Sequence, residues 1–111
     1  MKREIINPWT WQEALGFVHG NKVSDAESVF YLAGQTASDE NGHCLYKGGM
    51  DFSNVMRLNI FTIDMEQILK AHNHMATALK QRGCQHTGCL LGVTALASPG
   101  ALLEMEVTAV K

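Results

Sequence analysis

Four groupings of residues in this sequence have types and spacings that could do chemistry. Cys84, His86 and Cys89 lie close together, and thiolate and imidazole are the ligands zinc prefers. A structural zinc site wants four convergent ligands, usually in paired short spacings, so His43 or Cys44 would have to complete the set. Only one such cluster exists, and no metal is expected. His72-Asn73-His74 has the look of a nuclease triplet, but residues two apart on a helix point to different faces. One core histidine and one surface histidine account for them. Cys89 as a nucleophile has no base beside it in sequence and no cation to lower its pKa, so a buried thiol is the plainer reading.

The last two groupings are carboxylates and indoles. Glu104 and Glu106 sit two apart in a run that alternates like a strand, which places both on one face. Such a pair repels unless that face meets water or a cation. Glu104 as a water-orienting base therefore stands against Glu104 as an ordinary solvated glutamate. Trp9 and Trp11 could stack a ligand, although hydrophobic contact at an interface is the commoner use of exposed indoles.

The elements that must position these groups follow from periodicity. The opening, through Asn7-Pro8-Trp9-Thr10-Trp11, is too irregular to assign. A weak strand is expected over 16–23 and a better one over 28–35, rich in β-branched and aromatic residues. Asp39-Glu40-Asn41-Gly42 reads as a turn, with 43–46 returning as a short hairpin strand. Positions 55–63 alternate, with Met56, Leu58 and Ile60 on one face. A helix then starts at Asp64, a good N-cap with Gln67 three residues on. Its stripe of Met65, Ile68, Leu69, His72, Met75, Ala76 and Leu79 faces the core, and Gly83 supplies its left-handed stop. A strand over 88–97, a Ser98-Pro99-Gly100-Ala101 turn and a strand over 102–110 complete the chain. Leu103, Met105, Val107 and Ala109 form the core face of that last strand.

Composition bounds what these elements can build. The 111 residues suit one domain, 1–111, and 46% of them are apolar, as in an ordinary globular protein. The longest uncharged apolar run, 88–103, is broken by glycine and proline, so no membrane span is expected. No apolar signal core opens the sequence, and the three cysteines follow no secreted spacing. A cytoplasmic protein with free thiols is expected. Nine basic residues are scattered and the net charge is −2, which argues against a nucleic-acid partner.

Taken together, Gly34-Gln35 closing a strand, RLNIFTID (57–64) before a helix, LLGVTALASP (90–99) and LLEMEVTAV (102–110) resemble the Rid, or YjgF-type, family. The order agrees, and the likeness runs from about Asn7 to the end. It implies a chorismate-mutase-like α+β fold, a mixed sheet with the long helix on one face, assembled as a homotrimer with small-molecule clefts between subunits. It also implies no cofactor. Deaminating members hydrolyse reactive imines and enamines to 2-oxo acids. In them an arginine at the start of the penultimate strand holds the substrate carboxylate, a glutamate on the last strand positions water, and a loop aromatic covers the cleft. Carried over, the glutamate is Glu104, the aromatic is Phe17, and Gly34, Gln35, Cys89 and Leu90 line the cleft.

Two departures stand out. Gly88 occupies the arginine position, and glycine cannot form a bidentate pair with a carboxylate. Deamination of ordinary 2-imino acids is therefore not expected, although Gly88→Arg would restore it if the backbone admits the side chain. With 43–46 read as a strand, the link from Tyr46 to Val55 is too short for the family's first helix, which is expected to be missing. Changed topology, cover from a neighbouring subunit and an internal deletion each account for that. The function implied is a small-molecule-binding protein, with hydrolase- or deaminase-type activity on an imine-like or other small metabolite. The alternative is a non-catalytic ligand-sensing or scaffold trimer, and the ribonuclease activity reported for some members fits the acidic balance poorly.

Overall fold

The structure is a computed structural model that describes residues 1–36 and 38–111. Its centre is a four-stranded mixed sheet, β3 (Val29–Gln35), β4 (Val55–Thr62), β5 (Leu90–Gly92) and β6 (Leu103–Val110), in the order β3-β6-β4-β5. β6 runs antiparallel to both β3 and β4, and β5 runs parallel to β4. Beside this sheet lies a hairpin of β1 (Lys2–Ile6) and β2 (Gly20–Ser24). Alternation places Leu58, Ile60, Met105, Val107 and Ala109 in the core and turns Arg57, Asn59, Phe61, Glu104, Glu106 and Thr108 to the other face. At the start of β4 a register irregularity between Val55 and Arg57 lets both Val55 and Met56 point inward.

The segment expected to turn and return as a strand is instead a helix, α1 (Ser38–Lys47). The family helix expected to be missing is thus present in short form. The physical reason is topological: β3 and β4 both oppose β6, so they run the same way and need a crossover of about a dozen residues or more. The link from Gln35 to Val55 is long enough once it is not spent on a hairpin. Asn41-Gly42 is a turn signal by propensity, and a helical glycine costs only about 1 kcal/mol. Burial of Leu45 at 0% exposure outweighs that. Gly48 follows as the chain turns away, and a Cβ there would overlap the Phe30 ring.

α2 (Met65–Gln81) begins where its cap requires: the backbone N–H of Gln67 donates to Asp64 Oδ1 at 3.2 Å. Buried Thr62 locks the entry, accepting from the Asp64 N–H and donating to the Leu102 carbonyl at 2.9 Å. Gly83, at φ +71°, takes the left-handed position past the helix end. Ile68 and Leu79 are buried, and Leu79 shares one core with Leu45 of α1 and Phe52, Val55, Leu58 and Val107. Both helices thus cover the same face of the sheet. Leu69 departs from the expected stripe and stands 59% exposed.

Three further differences concern the ends. β1 was not foreshadowed, because Lys2-Arg3-Glu4-Ile5-Ile6 does not alternate polar and apolar, although its burial does. Arg3 ties it down, donating to Asn21 Oδ1 at 3.0 Å and to the Ser53 carbonyl at 2.9 Å, and also to the Gln85 carbonyl. The strand expected over 88–97 shortens to Leu90–Gly92, and its Cys89 is exposed, not buried. Among the described residues no helix is long and apolar enough to cross a membrane.

Asp64→Ala removes the α2 cap and is expected to lower stability by about 1 kcal/mol. Urea denaturation measures it, and an unshifted midpoint would mean that the cap contributes nothing.

Candidate functional site

The residues singled out in the sequence fall into two groups in the single chain. The first lies on the helix-free face at one end of β3 and β6. Gly34 is packed so closely under Glu104 that a Cβ at position 34 would overlap the carboxylate. Gln35 follows it in the chain but, past a register shift, stands opposite core-facing Met105, so it does not share the face of Glu104. Glu104 pairs with Phe61 of β4, and Phe61 with Leu91 of β5, so one lateral row crosses the sheet.

One turn of the pleat away, Asn59 settles the second carboxylate. Its Nδ2 donates to Glu106 Oε1 at 3.0 Å, and its Oδ1 accepts from the Cys89 N–H at 3.1 Å. Glu106 is therefore engaged, while among the described residues no side chain or N–H is found donating to half-buried Glu104. A carboxylate with its lone pairs open is what water orientation requires. Asn59 was missed in the sequence, although a polar residue facing the two glutamates on an alternating strand was a usable signal.

The second group lies on the core side of the β4–β5 edge. Phe17, Gly88, Cys89 and Leu90 share a cavity of about 330 Å³ with Leu58 and Ile60 of β4 and Leu69 and His72 of α2. Glu104 does not line it. Phe17 is held in its loop by edge-on contact with Trp11 (5.8 Å) and His19 (5.7 Å), and Trp9 also meets His19 edge-on at 5.1 Å. The loop reaches the helix through Gly16, at φ +77°, where a Cβ would crowd Ala76. Trp9 and Trp11 thus form the outer wall of the loop that presents Phe17.

Gly88 is fixed more tightly than any other candidate. It sits at φ +154°, and a Cβ there would run into the Leu58 carbonyl. Neighbouring hydrogen bonds hold it: the N–H groups of Leu58 and Ile60 donate to the carbonyls of Thr87 (2.8 Å) and Cys89 (2.9 Å). The expectation that an arginine could be restored at position 88 is corrected by this contact, since any side chain must first displace backbone.

Below the cavity, Cys84 Sγ and His86 Nδ1 are buried 3.6 Å apart. Burial pushes the Cys84 thiol up to about 12, against the opposing pull of the Arg3 guanidinium. The same loss of solvation pushes His86 down to about 4. Both are neutral near pH 7, as core groups. Among the described residues no three His, Cys, Asp or Glu side chains gather closely enough to hold a metal ion.

The family model described as Endoribonuclease L-PSP matches residues 42–111. No curated protein matches the chain. Among solved structures, it is similar to the Yersinia pestis Rid-family protein YyfB, of unknown function, at 24% identity and TM-score 0.84, covering 100% of both chains. A Mycobacterium tuberculosis member of the YjgF/YER057c/UK114 family is similar at 20% identity and TM-score 0.62, over 99% of this chain and 100% of that one. Escherichia coli TdcF, solved with bound serine, is similar at 17% identity and TM-score 0.66, over 79% of this chain and 84% of that one.

Two outcomes follow from this geometry. Gly88→Ala is expected to cost about 2–4 kcal/mol through strain and backbone overlap, and Gly88→Arg at least as much. An unchanged denaturation midpoint for Gly88→Ala would contradict the contact with Leu58. The second concerns pH. Because His86 titrates near 4 when folded and near 6.5 when unfolded, the unfolded chain binds the extra proton first as pH falls. Stability contributed by neutral His86 is complete above 6.5 and declines from there towards 4. His86→Gln should flatten the fall in unfolding midpoint between pH 6.5 and 5.

Proposed function

Because the chain belongs to the Rid, or YjgF-type, family, we propose that it is a small-molecule-binding protein whose site is completed between the subunits of a homotrimer. The single observation that carries this reading is the split of the candidate residues. Glu104 and Gly34 lie on the open sheet face, while Phe17, Gly88, Cys89 and Leu90 lie round the cavity at its edge. One chain does not bring a carboxylate to the cavity, and a neighbouring copy seated on the open face would. That face also carries Val29, Tyr31 and Leu91 at 51%, 76% and 48% exposure, apolar surface suited to association.

In this reading 1–111 acts as one domain, and Glu104 is the group that orients a water for attack on an imine-like or other electrophilic carbon. The carboxylate accepts the proton that the water gives up. Ordinary 2-imino acids are poor substrates, because Gly88 stands where an arginine would grip their carboxylate and no cavity residue replaces it. TdcF was solved with bound serine, a carboxylate ligand; among the described residues no lysine or arginine lines this chain's cavity to hold one. A second reading, a trimer that binds ligand without turning it over, is favoured by the same absence. The ribonuclease activity in the family model's description is not extended to this chain, whose Lys and Arg number nine against eleven acidic residues.

Sedimentation at micromolar concentration is expected to show a trimer, and a stable monomer would remove the shared site. In a 2-iminopropionate assay the wild type should hydrolyse barely above buffer, since losing a charge-paired carboxylate contact costs several kcal/mol and each 1.36 kcal/mol is tenfold. Robust turnover would mean that another cation grips the substrate, and Arg57→Gln would then be the variant to test. Turnover of any electrophile that is unaffected by Glu104→Ala would take Glu104 out of its role.

A further inference from the structure

We propose that the cavity beside Gly88 takes an uncharged, largely apolar small molecule, a neutral aldehyde, ketone or aromatic compound, and not a carboxylate-bearing metabolite. The inference rests on the reading of this cavity as part of the family's ligand cleft, and it names the ligand class. Its walls are Leu15, Phe17, Leu58, Ile60, Leu69 and Leu90, and among the described residues no lysine, arginine, aspartate or glutamate lines it. At about 330 Å³ it lies at the small end of the range for small-molecule pockets.

Three observations converge on a neutral ligand. First, the side chain that could supply a positive charge at position 88 is excluded by the Leu58 carbonyl, so that position is closed to a cation by backbone. Second, the rim is apolar too. Leu15 and Leu69 stand 41% and 59% exposed, whereas a site that selects charged metabolites places its fixed charge or its best donors at the entrance. Third, the polar groups are few and weak. Cys89 offers a thiol, a poor hydrogen-bonding group, and buried His86 is neutral near pH 7. His72 adds one imidazole, enough to orient a carbonyl or hydroxyl. A carboxylate entering here would lose its water and gain no charged partner, while an apolar body would cover the leucines.

The test uses the intact protein and two compounds of the same shape, 3-phenylpropionamide and 3-phenylpropionate, at pH 8, where a free imidazole is neutral. Methyl NMR on labelled leucines locates binding, and titration gives the affinities. The amide is expected to shift the Leu15, Leu69 and Leu90 methyls and to bind at least tenfold more tightly, about 1.4 kcal/mol. Leu69→Arg, an exposed helix position that tolerates arginine, should narrow or invert that preference by bringing a cation to the rim. Equal or tighter binding of the carboxylate, with the same methyls shifted, would overturn the neutral-ligand inference and leave the cavity as the site. Shifts confined to other residues, or binding of neither compound, would overturn the reading of the cavity itself.

Discussion

Position 88 has room for a hydrogen atom and nothing more, and much of the molecule is arranged round that fact. The N–H groups of Leu58 and Ile60 reach to the carbonyls on either side of Gly88, drawing the incoming chain flat against β4. Close approach of two backbones is a use of glycine that no other residue can match. It sets where β5 begins, and with it which residues of the 89–92 stretch look into the cavity and which look out. Leu90 turns in beside Leu58 and Ile60, exposed Cys89 lines the same cavity, and Leu91 looks out. The tight edge and the bar to a side chain are two sides of one contact: with no Cβ at 88 the strand settles inward, which leaves no space for one.

The same edge explains Asn59. A strand pressed this closely still has to satisfy its backbone donors, and the Cys89 N–H finds its acceptor in a side chain and not in the ladder. The other end of that amide then holds Glu106. One asparagine thus satisfies the edge and separates the roles of the two carboxylates, occupying one and leaving its neighbour open. Like charges two apart on a strand face repel, and neutral donation from Asn59 lessens that repulsion without adding a positive charge. Arg57 lies on the same face one step further along β4.

Long-period patterns were readable from residues alone. β4, α2 and β6 each run eight residues or more with alternation or helical spacing, broken in β4 only at its start, and their caps and turn residues stand where the pattern ends. What failed was local propensity set against topology. Asn41-Gly42 favours a turn over a helix by only a small margin, and nothing local reports that β3 and β4 run parallel with β6 between them. That arrangement depends on a strand that comes some seventy residues later and settles the matter for α1. Leu69 was misplaced for a different reason: it belongs to the apolar stripe, yet the space it faces is a cavity rim and not packed core. Apolarity tells that a residue prefers cover, not that the chain itself provides it. Family likeness named a set of candidate residues, but their division between two faces of one sheet was not legible.

That division carries a physical consequence for any chemistry. A carboxylate that is to orient water must stay ionised and accessible, and an apolar ligand needs a dry enclosure; in one small pocket these demands conflict, because burial raises a carboxyl pKa. In the proposed reading the two demands fall on opposite sides of β4 and β6. Glu104 lies over Gly34, where the missing Cβ lets the carboxylate rest against backbone without being sealed beneath side chains. The leucines gather on the helix side, where α2 already excludes solvent. In the proposed reading, contact between the two environments comes from assembly, with the open face of one copy meeting the cavity edge of another. A site made in this way keeps each half in the setting its chemistry needs and brings them together only where subunits meet.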